Sequence, residues 1–453
     1  MQAMYLNKPT GSTIKAAIVF VFLPFFWMSC SNITPTTWHE FHGNNGNTGF
    51  TNFPSKIANK LKWQFPVGDV GFSAPVVDDD GTIYIGNMSG DLFAIKPDRT
   101  QKWKEHFVGR LSSPAIGASG NIYVTNIQKI TATNHSSSLF SVDKQGHSLT
   151  NWWFAFPDHG YTTAAPKTWS NGKDEFIFVP ATTDKGPELF TFINDQGAKL
   201  IKRSPANCIP DEIINEGIKN PFEFHIEGIE FDVSVTNQSP PVAISTAVDG
   251  GKENPVIVYA AKNCHLMGFR LDPVQKSMTE IWVAPGVFSF YSPPAITTHG
   301  LILLGHGKTI FAHGIVDGKK IWEFVETTML SGEYDGFYDT PAVLLGTSPS
   351  YNLYHQRIIA VDDQGKLQGG SFWAPSRNDA SDASPLVTTK YVYAAFTSGL
   401  YTLDLKLKQV GHIAFIPGAK TTILSSPAIG PDGTIYMVDA NGILEAFEEK
   451  EDR

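Results

Sequence analysis

The sequence is short of cysteine, short of basic charge and almost without long apolar runs. Three cysteines in 453 residues exclude a fold built on a dense disulfide framework. None belongs to the Cys-x-x-Cys-His pattern of haem attachment: Cys264 and His265 stand together, but residue 261 is alanine. A formal net charge of −9 argues against a nucleic-acid backbone as the main partner, because phosphate binding needs a basic footprint. His39 and His42 in WHEFH lack the His-Glu-x-x-His spacing of a zinc protease. No nucleophile-elbow sequence accompanies the many serines. His299, His306 and His313 are spaced seven apart and read as surface or turn positions rather than zinc ligands. VDDDG, from Val77, lacks the later ligands of a calcium loop and reads as a hairpin turn.

One apolar run does occur. AAIVFVFLPFFWM, residues 16–28, follows Lys8 and Lys15. It suits the hydrophobic part of a signal peptide (residues 1–29) and is too short for a comfortable membrane span. It ends in Trp27-Met28-Ser29-Cys30. A small residue followed by cysteine is similar to a lipoprotein signal, so Cys30 is expected to become the lipid-bearing N-terminus. Ser31 follows, with no aspartate to suggest inner-membrane retention. The expected location is the cell envelope, at the periplasmic face of the outer membrane, with membrane contact through this anchor. Export would place Cys208 and Cys264 in an oxidising compartment, where one disulfide between them is allowed; two buried thiols are the other reading.

What the chain has in plenty is glycine, with 40 copies, and aromatic residues, at 12%. Both suit many short strands joined by tight turns. SAPVVDDDGTIYIGNMSGDLFAI, from Ser73, is nearly repeated by SSPAIGPDGTIYMVDANGILEAF, from Ser425. Prolines behind small or polar residues mark eight such units: Pro75, Pro114, Pro166, Pro241, Pro294, Pro341, Pro385 and Pro427. By subtraction most lie 39 to 53 positions apart, with one wide gap before Pro241. Each proline opens a short apolar strand. Asp-Gly turns such as Asp80-Gly81 and Asp432-Gly433 then lead to alternating strands, TIYIG and TIYMV. Many units close with a tryptophan strand, as in KWKEHF at Lys102 and IWEF at Ile321.

Four antiparallel strands per unit match one propeller blade. An open solenoid is the alternative. The ends favour the ring. The last unit stops after ILEAFEEKEDR without a fourth strand, and LKWQFPVG, residues 61–68, is one strand too many at the start. The expected fold is all-β: an eight-bladed β-propeller over residues 61–453, with a leader at 30–60 and an insertion around 201–237.

AHGIVDGKKIW, from Ala312, resembles the blade motif Ala-x-Asp-x-x-Thr-Gly-Lys-x-x-Trp of pyrroloquinoline-quinone (PQQ) dehydrogenases and their non-enzymatic relatives. Gly314 replaces the motif's aspartate and Asp317 its threonine. AVDDQGK at Ala360 and SVDKQGH at Ser141 are partial copies, and WHEFHGNNGNTGF, residues 38–50, resembles the family's leader. The resemblance implies a quinoprotein-type eight-bladed propeller. In the enzymes of that family it would imply PQQ on the axis beside calcium, an aspartate base and, in many, two adjacent cysteines. This chain has no adjacent cysteines and lacks the enzymes' long capping insertions. It is therefore more similar to BamB-type lipoproteins of the outer-membrane assembly machine. That implies a non-catalytic scaffold for an envelope protein partner, without cofactor or metal. The alternatives are a PQQ-dependent dehydrogenase with calcium, for which Asp339 and Asp382 are the candidate carboxylates, and a glycan- or peptide-binding propeller.

Residues just before the anchor prolines should gather at one mouth of the central channel. Phe72, Tyr161, Phe290, Tyr291, Phe337, Tyr338, Asp339 and Asp382 are there. Rings with a polar edge suit a binding surface, and packing between blades is the competing reading. The insertion is long enough to form a loop on one face.

Overall fold

The computed structural model describes residues 38–71, 73–129, 135–206, 242–245, 254–261, 264–288, 293–306, 308–327, 341–344, 348–354, 356–375, 379–381, 383–415, 422–423 and 425–450. Blade one shows how the repeat folds. Its strands Val76–Val77, Ile83–Gly86, Asp91–Ile95 and Gln101–His106 pair antiparallel in chain order. The first turn closes with a bond from the Gly81 amide to the Asp78 carbonyl, 2.9 Å. Gly81 has φ 79 there, a left-handed backbone that a side chain would strain. Alternation then decides which neighbour each residue meets. Ile83 and Ile85 join the core shared with blade eight, and Tyr84 joins the core shared with blade two. Both faces are buried because the blade is sandwiched.

Seven further sheets repeat this plan. Their inner strands begin at Ala115–Ile116, Lys167–Ser170, Ala243–Ser245, Ala295–Ile296, Ala342–Val343, Leu386–Val387 and Ala428–Ile429. The protein is an eight-bladed β-propeller, and the inner strands of blades one and eight touch. Blade eight is composite. Lys60–Pro66 supplies its outer strand and pairs with Ile443–Glu448, with Leu61 opposite Phe447 and Phe65 opposite Leu444. The spare strand at the start of the sequence therefore completes the last unit, and the solenoid reading fails. One anchor shifts. In blade four Ala243 and Ile244, which open the strand Ala243–Ser245, correspond to the two residues that follow proline elsewhere. The position equivalent to proline is thus Val242, one residue beyond Pro241.

Two kinds of contact tie blade to blade. At the rim, a tryptophan on an outer strand donates its indole N–H to a turn carbonyl of the next blade. Trp63 donates to Pro97, Trp103 to Lys144, Trp282 to Ile315 and Trp322 to Asp363, at 2.8–3.0 Å. Three of these rings lie flat against a turn glycine. A Cβ on Gly146 would sit 2.7 Å from Trp103, and Gly318 and Gly365 meet Trp282 and Trp322 as closely. This explains the Asp-x-x-Gly copies in the sequence: the aspartate caps the turn, as Asp143 does for the Gln145 and His147 amides, and the glycine leaves room for the indole. In blade five, where Gly314 replaces that aspartate, Asp317 receives the Lys319 amide instead.

Nearer the axis the ties are hydroxyls. Ser425 Oγ donates to the Ser73 carbonyl across the last junction, 2.9 Å, and Ser73 Oγ to the Ser112 carbonyl, 3.2 Å. The amides of Ala74 and Ser384 donate to Ser113 and Ser426 of the following blades. All these groups are buried, so each bond matters for the groups it satisfies.

Candidate functional site

The leader fills the axis. Its backbone carbonyls accept amide bonds from successive inner strands: Trp38 from Val77, His39 from Ile116, Asn45 from Ile244, Gly46 from Ile296, Thr48 from Val343 and Gly49 from Val387, all 2.7–2.8 Å. Blade three is met by a side chain, with Glu40 Oε1 accepting the Thr168 amide at 2.7 Å. One irregular segment thus reaches blades one to seven in order. Phe53 packs in the core of blades eight and one. The composition HGNNGNTG makes such a path possible. His42, Gly43, Asn47 and Gly49 all have φ between 53 and 87, a region that glycine and asparagine tolerate best. A Cβ on Gly49 would collide with the His42 ring.

Charge is buried in this plug. Lys167, on the inner strand of blade three, is fully enclosed. Its Nζ donates to Glu40 Oε2 at 3.2 Å, to the Phe41 carbonyl at 2.8 Å and to the Asn44 carbonyl at 2.9 Å. Burial pulls the Lys167 ammonium below its ordinary pKa, and Glu40 works in the opposite direction. Asn47 Nδ2 donates to the Pro294 carbonyl, 2.9 Å, and to the Val242 carbonyl, 3.2 Å. His42 lies between two carbonyls, 2.6 Å from Asn47 and 2.8 Å from Pro385. Desolvation lowers its pKa to about 4, against the pull of those carbonyls. At neutral pH the ring is therefore uncharged and donates only one of the two bonds.

Sequence reasoning placed the site at the opposite level, before the prolines. Of those residues, Tyr161 is described: it is half-buried and bridged to Thr182 by two backbone bonds of 2.9 Å. Phe72, Phe290, Tyr291, Phe337, Tyr338, Asp339 and Asp382 lie outside the described residues, as do Cys30, Cys208 and most of the 201–237 insertion, whose first residues end the strand Ala198–Pro205. Cys264 is buried and disulfide-bonded. The hydroxyls of Ser73 and Ser425 at this level are engaged in the blade ties described above, while that of Ser112 donates to the Ser113 carbonyl of its own blade at 3.0 Å.

His313 departs from its expected place on the surface. It is buried on a strand, with Nδ1 donating to the Gly318 carbonyl at 2.8 Å. Burial lowers its pKa. VDDDG is a turn, as expected, but it does meet a histidine. His39 Nε2 lies 3.2 Å from Asp79 and 3.6 Å from Asp78. These are the only described residues with metal-like grouping. Lys144 Nζ, 2.6 Å from Asp78 Oδ2, already supplies a cation there.

Glu40, Asn45, Asn47 and Lys167 were not singled out from the sequence. One signal was present. Lys167 follows its anchor proline where other units carry valine, alanine or leucine. A lysine at such a core-facing position needs a buried acceptor set.

No family model and no curated protein matches the chain. Solved structures do. A europium-containing methanol dehydrogenase is 14% identical, with 89% of each chain covered and a TM-score of 0.58. Sqt1 of Saccharomyces cerevisiae is 8% identical over 87% of this chain and 100% of that one, with a TM-score of 0.57. BamB from Moraxella catarrhalis is 12% identical over 88% and 96%, with a TM-score of 0.42. At such identities the first two likenesses show the propeller fold alone.

Proposed function

We propose that this protein is a non-catalytic, exported propeller scaffold that binds a protein partner at the cell envelope, in the manner of BamB-type lipoproteins. The observation that carries the reading is how the centre of the ring is used. The leader lies against the inner strands of blades one to seven, and the hydroxyls at the strand starts join blade to blade. The centre thus works as a frame, and recognition falls to loops and rings on the faces. Cys30 carries the lipid anchor at the periplasmic face of the outer membrane. Tyr291 and Tyr338 contribute rings to the partner surface.

A pull-down from detergent-solubilised envelope tests this. The full chain should capture a membrane partner, and replacing Tyr291 and Tyr338 by alanine should weaken capture. Asp339→Asn and Asp382→Asn should change little. The N-terminal peptide from the same preparation should carry lipid on Cys30. PQQ with calcium should give neither a quinone absorbance nor dye reduction. Micromolar PQQ binding lost in Asp339→Asn would transfer the reading to a dehydrogenase, which must hold its calcium with several oxygen ligands. Capture of glycan or peptide in place of a membrane protein would favour a surface-binding propeller.

A further inference from the structure

Glu445 sits in the seam that closes the ring. Its strand, Ile443–Glu448, lies between Ile435–Val438 and the closing strand Lys60–Pro66, and Glu445 stands opposite Gln64 on one side and Met437 on the other. Its side chain is buried. Gln64 Nε2 donates to Oε1 at 2.6 Å, while Oε2 is buried without a hydrogen-bond partner. A carboxylate that accepts one bond and buries its other oxygen is poorly solvated. A carboxylic acid in the same place loses far less by burial.

We propose that this seam is a proton-controlled latch: the closing strand is held tightest when Glu445 carries its proton and loosens when the proton leaves. Apart from the Gln64 hydrogen bond, which favours the charged form, the surroundings favour the neutral one. On the closing strand the facing group is the uncharged Gln64, and on the neighbouring strand it is Met437. Phe447, two residues along and on the same face, packs against Phe415 of blade seven at 6.1 Å. That wall continues with Tyr393, Leu400 and Ile413, and with Tyr391 beside them. The Tyr393 phenol donates to the Lys56 carbonyl, and burial keeps it protonated. His412 of blade seven stacks on Tyr401 in the opposite junction. The lysines of the closing strand are engaged elsewhere, Lys60 with Glu448 and Lys62 with Asp432 and Thr434. Asp439, at the turn before the strand, adds a like charge. Burial first, with Asp439 behind it, raises the Glu445 pKa from 4.5 to about 7, against the hydrogen bond from Gln64.

The sign follows. The folded-state value lies above the open-state value, so the closed seam binds more protons between them. Closure is strongest below about pH 4.5 and is lost progressively as pH rises through 7.

Amide hydrogen exchange of the full chain, corrected for the intrinsic pH dependence of exchange, reads the latch directly. Between pH 5.5 and 8.5, opening of peptides covering 60–66 and 443–448 should rise on the order of tenfold, while a peptide over 186–194 stays level. Glu445→Gln should remove the rise. Asp439→Asn keeps the oxygen that caps the Asn441 and Ile443 amides, so it should fold and move the midpoint to lower pH. A seam equally protected across the range overturns the proposal. So does a rise that survives in Glu445→Gln, or, if that variant does not fold, a midpoint unmoved in Asp439→Asn.

Discussion

Between residues 38 and 53 the N-terminal segment runs irregularly through the axis, and six of its carbonyls each meet a different blade. Between residues 60 and 66 the same segment is an ordinary strand with one neighbour. The first joint is polar and left-handed in backbone, built around a buried Lys167–Glu40 pair and an uncharged His42. The second is apolar, with Trp63 against Tyr436 and Phe65 against Phe93, and buries one carboxyl group. The contrast teaches where closure resides. A strand can latch two ends of a ring, but only a segment touching many blades can hold them at one radius.

Truncation should give the largest effect. A chain beginning at Val67 loses both joints and exposes two sheet edges, and should show no cooperative unfolding transition. A chain beginning at Pro54 keeps the strand and loses the axis. Six inner-strand amides bonded to leader carbonyls would then turn to water. At roughly 0.5–1.5 kcal/mol net for each bond, the loss approaches the whole stability of a typical domain, about 5–15 kcal/mol. Denaturant titration decides it. A Pro54 chain with a near-native midpoint would reduce the axis to a filler.

Breaking the charge pair should come next. Lys167→Met leaves Glu40 buried without its cation, which costs about 3–5 kcal/mol. The Thr168 amide and hydroxyl, both 2.7 Å from Glu40 Oε1, would still hold the carboxylate in part. Adding Glu40→Gln should therefore recover most of the loss. An equal loss in the single and double variants would mean that packing, not charge, sets this joint.

The two joints also differ in how well the sequence announces them. The seam was legible, because a missing strand at one end and a spare Trp-x-Phe strand at the other can be counted. So were the tryptophans and turn glycines of the rim, since several blades repeat them. The axis was not. Its segment resembles a family leader, but nothing repeats in it, and each residue answers to a different partner far along the chain. Glu40 could be matched to Lys167 only by knowing that blade three turns its inner strand toward it. His313 was misplaced for a related reason. Seven-residue spacing says nothing of which strand face a side chain occupies, and the Gly318 carbonyl that satisfies it lies in a turn five residues on. The channel mouth was inferred from position alone; at that level the Ser73 and Ser425 hydroxyls tie blade to blade.

The smallest expected effect sets the joints against each other by pH. His42 has a folded-state pKa of about 4, below its ordinary 6.5, because of burial. The unfolded chain therefore binds more protons between those values, and the axis loses stability as pH falls through that window. The shift corresponds to about 3 kcal/mol at most. Glu445 acts in the reverse direction over nearly the same window, with its folded-state pKa raised from 4.5 to about 7. In a global unfolding measurement the two should largely cancel, leaving the wild-type chain flat between pH 5 and 6.5 or so. Separate variants expose each. His42→Gln should leave a protein whose stability falls with rising pH, and Glu445→Gln one whose stability rises. Together the substitutions should flatten most of the profile, leaving the rise with pH that His313, also lowered by burial, contributes. Parallel slopes in the two single variants would show that neither group governs its joint.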